Sequence, residues 1–105
     1  MIDRKQKILY NILKGGYKIN YSLKKNQLLK ETRGVCFEDV IGVLSLRNLV
    51  AVIENPNTKD YPDQYILLVR MDDYIHVVPF LTDKENKQYF LKTVYPSRKY
   101  TKIYL

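Results

Sequence analysis

The chain has 105 residues, 46% of them apolar and 28% charged, which suits one compact core and excludes both a two-domain enzyme and a disordered chain. Its net charge of +7 is uneven: residues 1–34 carry +7, residues 35–91 carry −4, and residues 92–105 carry +4. If the fold joins the two basic ends, they form a positive face suited to a polyanion such as nucleic acid or an acidic protein.

In chain order, Ile8, Leu9, Ile12 and Leu13 make one helical stripe that stops at Gly15-Gly16, so residues 1–16 read as a helical extension. Tyr17, Ile19 and Tyr21 then alternate with polar residues as in a strand. Ser22 opens a polar helix from Leu23 to Arg33, with Gly34 as its cap. Phe37, Val40, Ile41 and Leu44 recur at helical spacing, and Glu38 and Asp39 sit in that first turn, where the macrodipole favours acids. The remainder reads as sheet: Leu49 to Ile53, Gln64 to Met71, Tyr74 to Leu81 and Tyr89 to Tyr95. Asp72-Asp73 is a two-residue hairpin candidate of a kind that tolerates positive φ, and Thr82 to Gln88 reads as a polar loop. The expected architecture is α+β: two helices from the first half packed on a four- to five-stranded antiparallel sheet, with an additional N-terminal helix. Residues 1–105 form a single domain, with residues 17–105 as its self-consistent core.

Several chemistries are disfavoured. No run approaches the roughly 20 apolar residues of a membrane span, and no signal-peptide core follows the charged opening, so a cytoplasmic setting without membrane contact is expected. The lone Cys36 precludes an internal disulfide and reads as a buried hydrophobe. With a single histidine there is no soft-ligand zinc site, and no glycine-rich phosphate loop is present, so neither metal nor cofactor is expected. His76 shares a strand face with Tyr74, Val78 and Phe80; it reads as a hydrogen-bonded core histidine or as a general acid or base. Arg70 ends the row Gln64, Ile66, Leu68. Arg98, with Lys99 and Lys102, follows the last strand, where a guanidinium can clamp a phosphate.

The order of elements, the segment Gly34-Val35-Cys36-Phe37-Glu38-Asp39-Val40 and the segment from Lys92 through Pro96-Ser97-Arg98 to Lys102 together resemble BrnT-type toxins of bacterial toxin-antitoxin systems. The resemblance covers about Tyr17 to Lys102. It departs from the family where Thr32-Arg33 stands for Lys-His and Pro96-Ser97-Arg98 for Ser-Ala-Arg. The resemblance implies a RelE-like fold, an endoribonuclease that arrests growth by cutting RNA, free or on the ribosome, and silencing by a cognate antitoxin, for example a DNA-binding ribbon-helix-helix protein. By position it carries over Arg98, Arg70, Glu38 and Lys24 or Lys25; His76 and Tyr100 complete the catalytic candidates as proton-moving groups, and Lys24, Lys25, Lys92, Lys99 and Lys102 are the RNA-binding candidates. The implied chemistry is attack of a ribose 2′-hydroxyl on its own phosphodiester, which needs proton transfer and charge stabilisation but no metal. Two further readings stand beside it: a non-catalytic nucleic-acid- or protein-binding module of the same fold, and a toxin that inhibits a topoisomerase.

Overall fold

A computed structural model describes residues 3–44 and 48–105. The chain is α+β, with helices α1 (Arg4–Leu13), α2 (Leu23–Arg33), α3 (Phe37–Leu44) and α4 (Arg98–Tyr104) and strands β1 (Lys18–Tyr21), β2 (Leu49–Glu54), β3 (Tyr65–Met71), β4 (Tyr74–Asp83), β5 (Gln88–Leu91) and β6 (Tyr95–Pro96). No helix among the described residues is long and apolar enough to cross a membrane.

Local chemistry explains most boundaries. Asp3 and Gln6 form a capping box at the start of α1, the Ser22 hydroxyl accepts from the Lys25 N–H at the start of α2, and Gly34 ends α2 in the left-handed conformation at φ 69°. The β3–β4 hairpin turns on Asp72 and Asp73, with φ of 55° and 58°, the type I′ geometry that matches strand twist.

The sheet order is β1-β5-β4-β3-β2, with β6 also pairing β4. Its neighbours are antiparallel except β1 and β5, which run parallel with Ile19 opposite Tyr89. One face carries Leu67, Val69, Val78 and Phe80 beneath Leu29 of α2, Phe37, Val40 and Leu44 of α3, and Ile8 of α1. The other face carries Ile66, Leu68, Ile75 and Val77 beneath Tyr100 of α4.

Three expectations are corrected. The sheet has six strands, one pairing parallel, because β1 joins the edge through a partner about 70 residues away that local alternation cannot identify. The final strand ends at Leu91 rather than Tyr95; Lys92 donates back to the Pro79 carbonyl at 2.8 Å, and the chain rejoins β4 only as the short β6. Beyond it lies α4, a helix additional to the three expected, with the Ser97 hydroxyl accepting from the Tyr100 N–H. The opening helix contributes to the main core: Ile8 is buried in it, and Asn11 Nδ2 donates to the Tyr89 hydroxyl at 3.0 Å.

Candidate active-site cleft

The type I′ turn and the start of α3 enclose a cleft of about 590 Å³. The β3–β4 register brings its residues to one end of the sheet, since Val69 pairs with His76 and Arg70 with Ile75. His76, Arg70 and Glu38 all line the cleft, together with Asp39, Asp72 and Asp73. Three of the five catalytic candidates therefore line one cleft from three elements, with Arg70 at the strand end in the row of Ile66, Leu68 and Ile75 and His76 on the face of Val69 and Val78.

His76 is 7% exposed, on the helical face of the sheet beside Val69 and Val78. Its Nδ1 lies 3.3 Å from the Tyr74 carbonyl, so the tautomer that donates there leaves the Nε2 lone pair as the basic site. Arg70 lies exposed at the end of β3, and its Nη2 donates to Asp73 Oδ1 at 2.7 Å, which draws the guanidinium toward the turn.

Glu38 is gripped from α2 and β1. Its Oε1 accepts from Asn26 Nδ2 and, at 3.4 Å, from the Tyr21 hydroxyl, while Oε2 lies 3.1 Å from Lys30 Nζ. The Lys30 ammonium, with help from Asn26, holds the Glu38 carboxyl below the usual glutamate range, and Glu38 in turn raises Lys30. Burial, with the Glu38 charge added, pushes the Tyr21 phenol up. Asn26, only 4% exposed, also accepts the Phe37 N–H at 2.7 Å and so caps α3. No pattern in the sequence marks Asn26. Its one signal is a polar residue at a core-facing position of α2.

Arg98 and Tyr100 do not line the cleft. Arg98 is exposed at the first position of α4 and reaches the same end of the sheet by register: Pro96 pairs with His76, and the Ser97 N–H donates to the Ile75 carbonyl at 2.9 Å. One row thus crosses β3, β4 and the start of α4 through Arg70, Ile75 and Ser97. Tyr100 packs on the opposite face, where burial and the neighbouring Tyr104 and Tyr95 raise its phenol and Lys99 Nζ lies 5.4 Å from its ring centre. The sheet separates it from His76.

The RNA-binding candidates fall into two groups. Lys24 and Lys25 begin α2, whose other end is tied to the C-terminal segment by the Arg33 guanidinium, which donates to the Val94 carbonyl at 3.3 Å. Lys92, Lys99 and Lys102 are exposed along that segment. Cys36 is buried, which raises its thiol, as expected for a packing residue. Among the described residues no group of three or more His, Cys, Asp or Glu side chains is placed to hold a metal ion. The chain matches no known family, no curated protein and no solved structure in these comparisons.

Proposed function

We propose that the chain is a growth-arresting toxin with a RelE-like core of the BrnT type, which cleaves RNA through the ribose 2′-hydroxyl and is silenced by a cognate antitoxin. The observation that carries this reading is that a histidine, an arginine and a glutamate from three elements line one cleft, with Arg98 at the same end of the sheet. In this reading His76 Nε2 takes the 2′-hydroxyl proton and the 2′-oxygen attacks the adjacent phosphorus. The bond from phosphorus to the 5′-oxygen breaks, and that oxygen takes up a proton. The products are a 2′,3′-cyclic phosphate and a 5′-hydroxyl end. Arg70 and Arg98 stabilise the charge that develops on the phosphorus oxygens. Glu38 acts as a positioning residue, because its oxygens are taken up by donors that hold α3 against α2 and β1. Lys24, Lys25, Lys92, Lys99 and Lys102 contact flanking phosphates.

A second reading, the non-catalytic binding module, is favoured by one observation: four acidic residues line the cleft against a single arginine, a lining that repels phosphate. Tightly induced expression in a bacterial host separates the two. The toxin reading expects growth arrest by the wild type and none by a folded Arg98→Ala or His76→Gln variant. Removing the exposed Arg98 side chain should change stability by less than about 0.5 kcal/mol. Purified wild type should leave cyclic-phosphate ends on RNA in the presence of a chelator. Soluble wild type that neither arrests growth nor cuts RNA turns the assignment to the binding module, and arrest with intact RNA turns it to topoisomerase inhibition.

A further inference from the structure

A second cleft, of about 520 Å³, lies between α1 and the far end of the β3–β4 hairpin, where Tyr65 begins β3 and Thr82 nears the end of β4. Tyr65 and Arg70 are five residues apart on β3, so the two clefts are separated by roughly 17 Å along the strand. We infer that this second cleft binds a nucleotide, with the base against its tyrosines and the phosphate between Lys7 and Lys84.

Three features select that ligand. The floor is aromatic: the half-buried rings of Tyr17 and Tyr65 line the cleft, and Tyr17 is backed by the buried ring of Tyr89, stacked on it with centroids 4.7 Å apart and planes at 25°. Such a floor accepts a flat heterocycle of any base identity. Asn11 fixes it by donating to the Tyr89 hydroxyl, so the floor is formed before a ligand arrives.

The rim has unspent positive charge. Arg4, Lys7 and Lys84 stand there against Asp3 and Asp63; Asp63 pairs with Arg4 at 3.4 Å, and Asp3 accepts the Gln6 N–H at 2.8 Å to cap α1. Among the described residues neither Lys7 nor Lys84 has a carboxylate within ion-pair distance. Lys7 and Lys84, lining the same cleft as Tyr17 and Tyr65, suit a phosphate joined to a planar base, and the volume lies within the range of small-ligand sites. The cleft also gives α1 a role beyond filling the core, because that helix supplies Lys7 and Asn11. This site stands whether or not the His76 cleft cuts RNA.

The ligand is a 5′-nucleotide, either free or as one unit of a strand, and calorimetric titration of the full chain with 5′-AMP and with a five-residue 2′-O-methyl RNA distinguishes them. Comparable affinities identify the free nucleotide, and tighter binding of the RNA that the Lys7 and Lys84 reversals abolish identifies the strand unit. In either case Lys7→Glu with Lys84→Glu, both at exposed positions, should weaken AMP binding roughly tenfold or more. As a measurement free of variants, AMP should shift the ring resonances of Tyr17 and Tyr65 in the wild type. No AMP binding at millimolar concentration, or binding that survives the lysine reversals, overturns the inference. Failure of the wild type to cut RNA would overturn the proposed activity and leave this site standing.

Discussion

Asn26 and Glu38 show how a few polar atoms lock the cleft wall. Asn26 Oδ1 receives the first N–H of α3 and its Nδ2 donates to Glu38, so one nearly buried amide joins two helices. Lys30 completes the lock from the solvent side at 3.1 Å. Because the folded Glu38 carboxyl sits below its ordinary range, its stabilisation is complete above the unfolded glutamate value and is lost as pH falls through the lowered one. The Lys30 shift acts at the other extreme: its ammonium is raised, so that contribution is lost only as the solution becomes strongly alkaline. Glu38→Gln keeps an acceptor but removes the charge. It should melt below the wild type at pH 7, and the gap should narrow as pH falls below the ordinary glutamate value of about 4.3. A gap in melting temperature that stays constant from pH 7 to pH 3 would exclude an ionised Glu38 as the source.

At the scale of elements, the helix starts carry charge that their own dipoles disfavour. No acid lies in the first turn of α1, α2 or α4, and each instead opens with adjacent cations: Arg4-Lys5, Lys24-Lys25 and Arg98-Lys99. By contrast α3, with Glu38 and Asp39, follows the electrostatic preference in its first turn, and α1 meets it one residue earlier through its Asp3 cap. A cation at a helix start costs a few tenths of a kcal/mol, a cost that a bound phosphate removes. Lys24→Glu should therefore raise stability by about 0.3–1 kcal/mol while weakening RNA binding, as read from denaturant unfolding beside a binding titration. A variant that gains stability and keeps its affinity would take α2 out of the proposed RNA surface. The hairpin turn illustrates the reverse case, in which local sequence is sufficient: two adjacent aspartates accept the positive φ angles that bulkier residues resist.

Across the whole molecule, the sheet divides the positive charge that composition counts as one sum. α1 packs on the face shared with α2 and α3, whereas α4 packs on the other, so the two basic ends do not merge into one patch. What continuity exists runs from the end of α2 through Arg33 to the Val94 segment and on to Arg98. The opening helix belongs to the common core, because Ile8 is 6% exposed among buried side chains while Leu13 is 49% exposed. Ile8→Ala should cost about 2–4 kcal/mol in a denaturant melt, the price of a core cavity. A loss below about 0.5 kcal/mol, the level of surface substitutions, would return α1 to the status of a loose extension.

Elements set by local chemistry were legible in the sequence: the polar helix from Leu23 to Arg33 with Gly34 as its left-handed cap, the helical stripe from Phe37 to Leu44, the type I′ pair Asp72-Asp73, and the face that His76 shares with Val78 and Phe80. Alternation, helical period and turn propensity act within a few residues, so they need no knowledge of the rest of the chain. The short C-terminal helix was within reach of the same rules, since Ser97 is a serine cap followed by seven residues without a breaker, but its weak apolar pattern hid it. Only tertiary structure decided the parallel pairing of Ile19 with Tyr89, the seating of Asn26 under Glu38, and the division of the candidate site that groups His76, Arg70 and Glu38 while leaving Tyr100 behind the sheet. Each depends on contacts between residues far apart in sequence, and the closure of those long loops is set by the packing of the whole core.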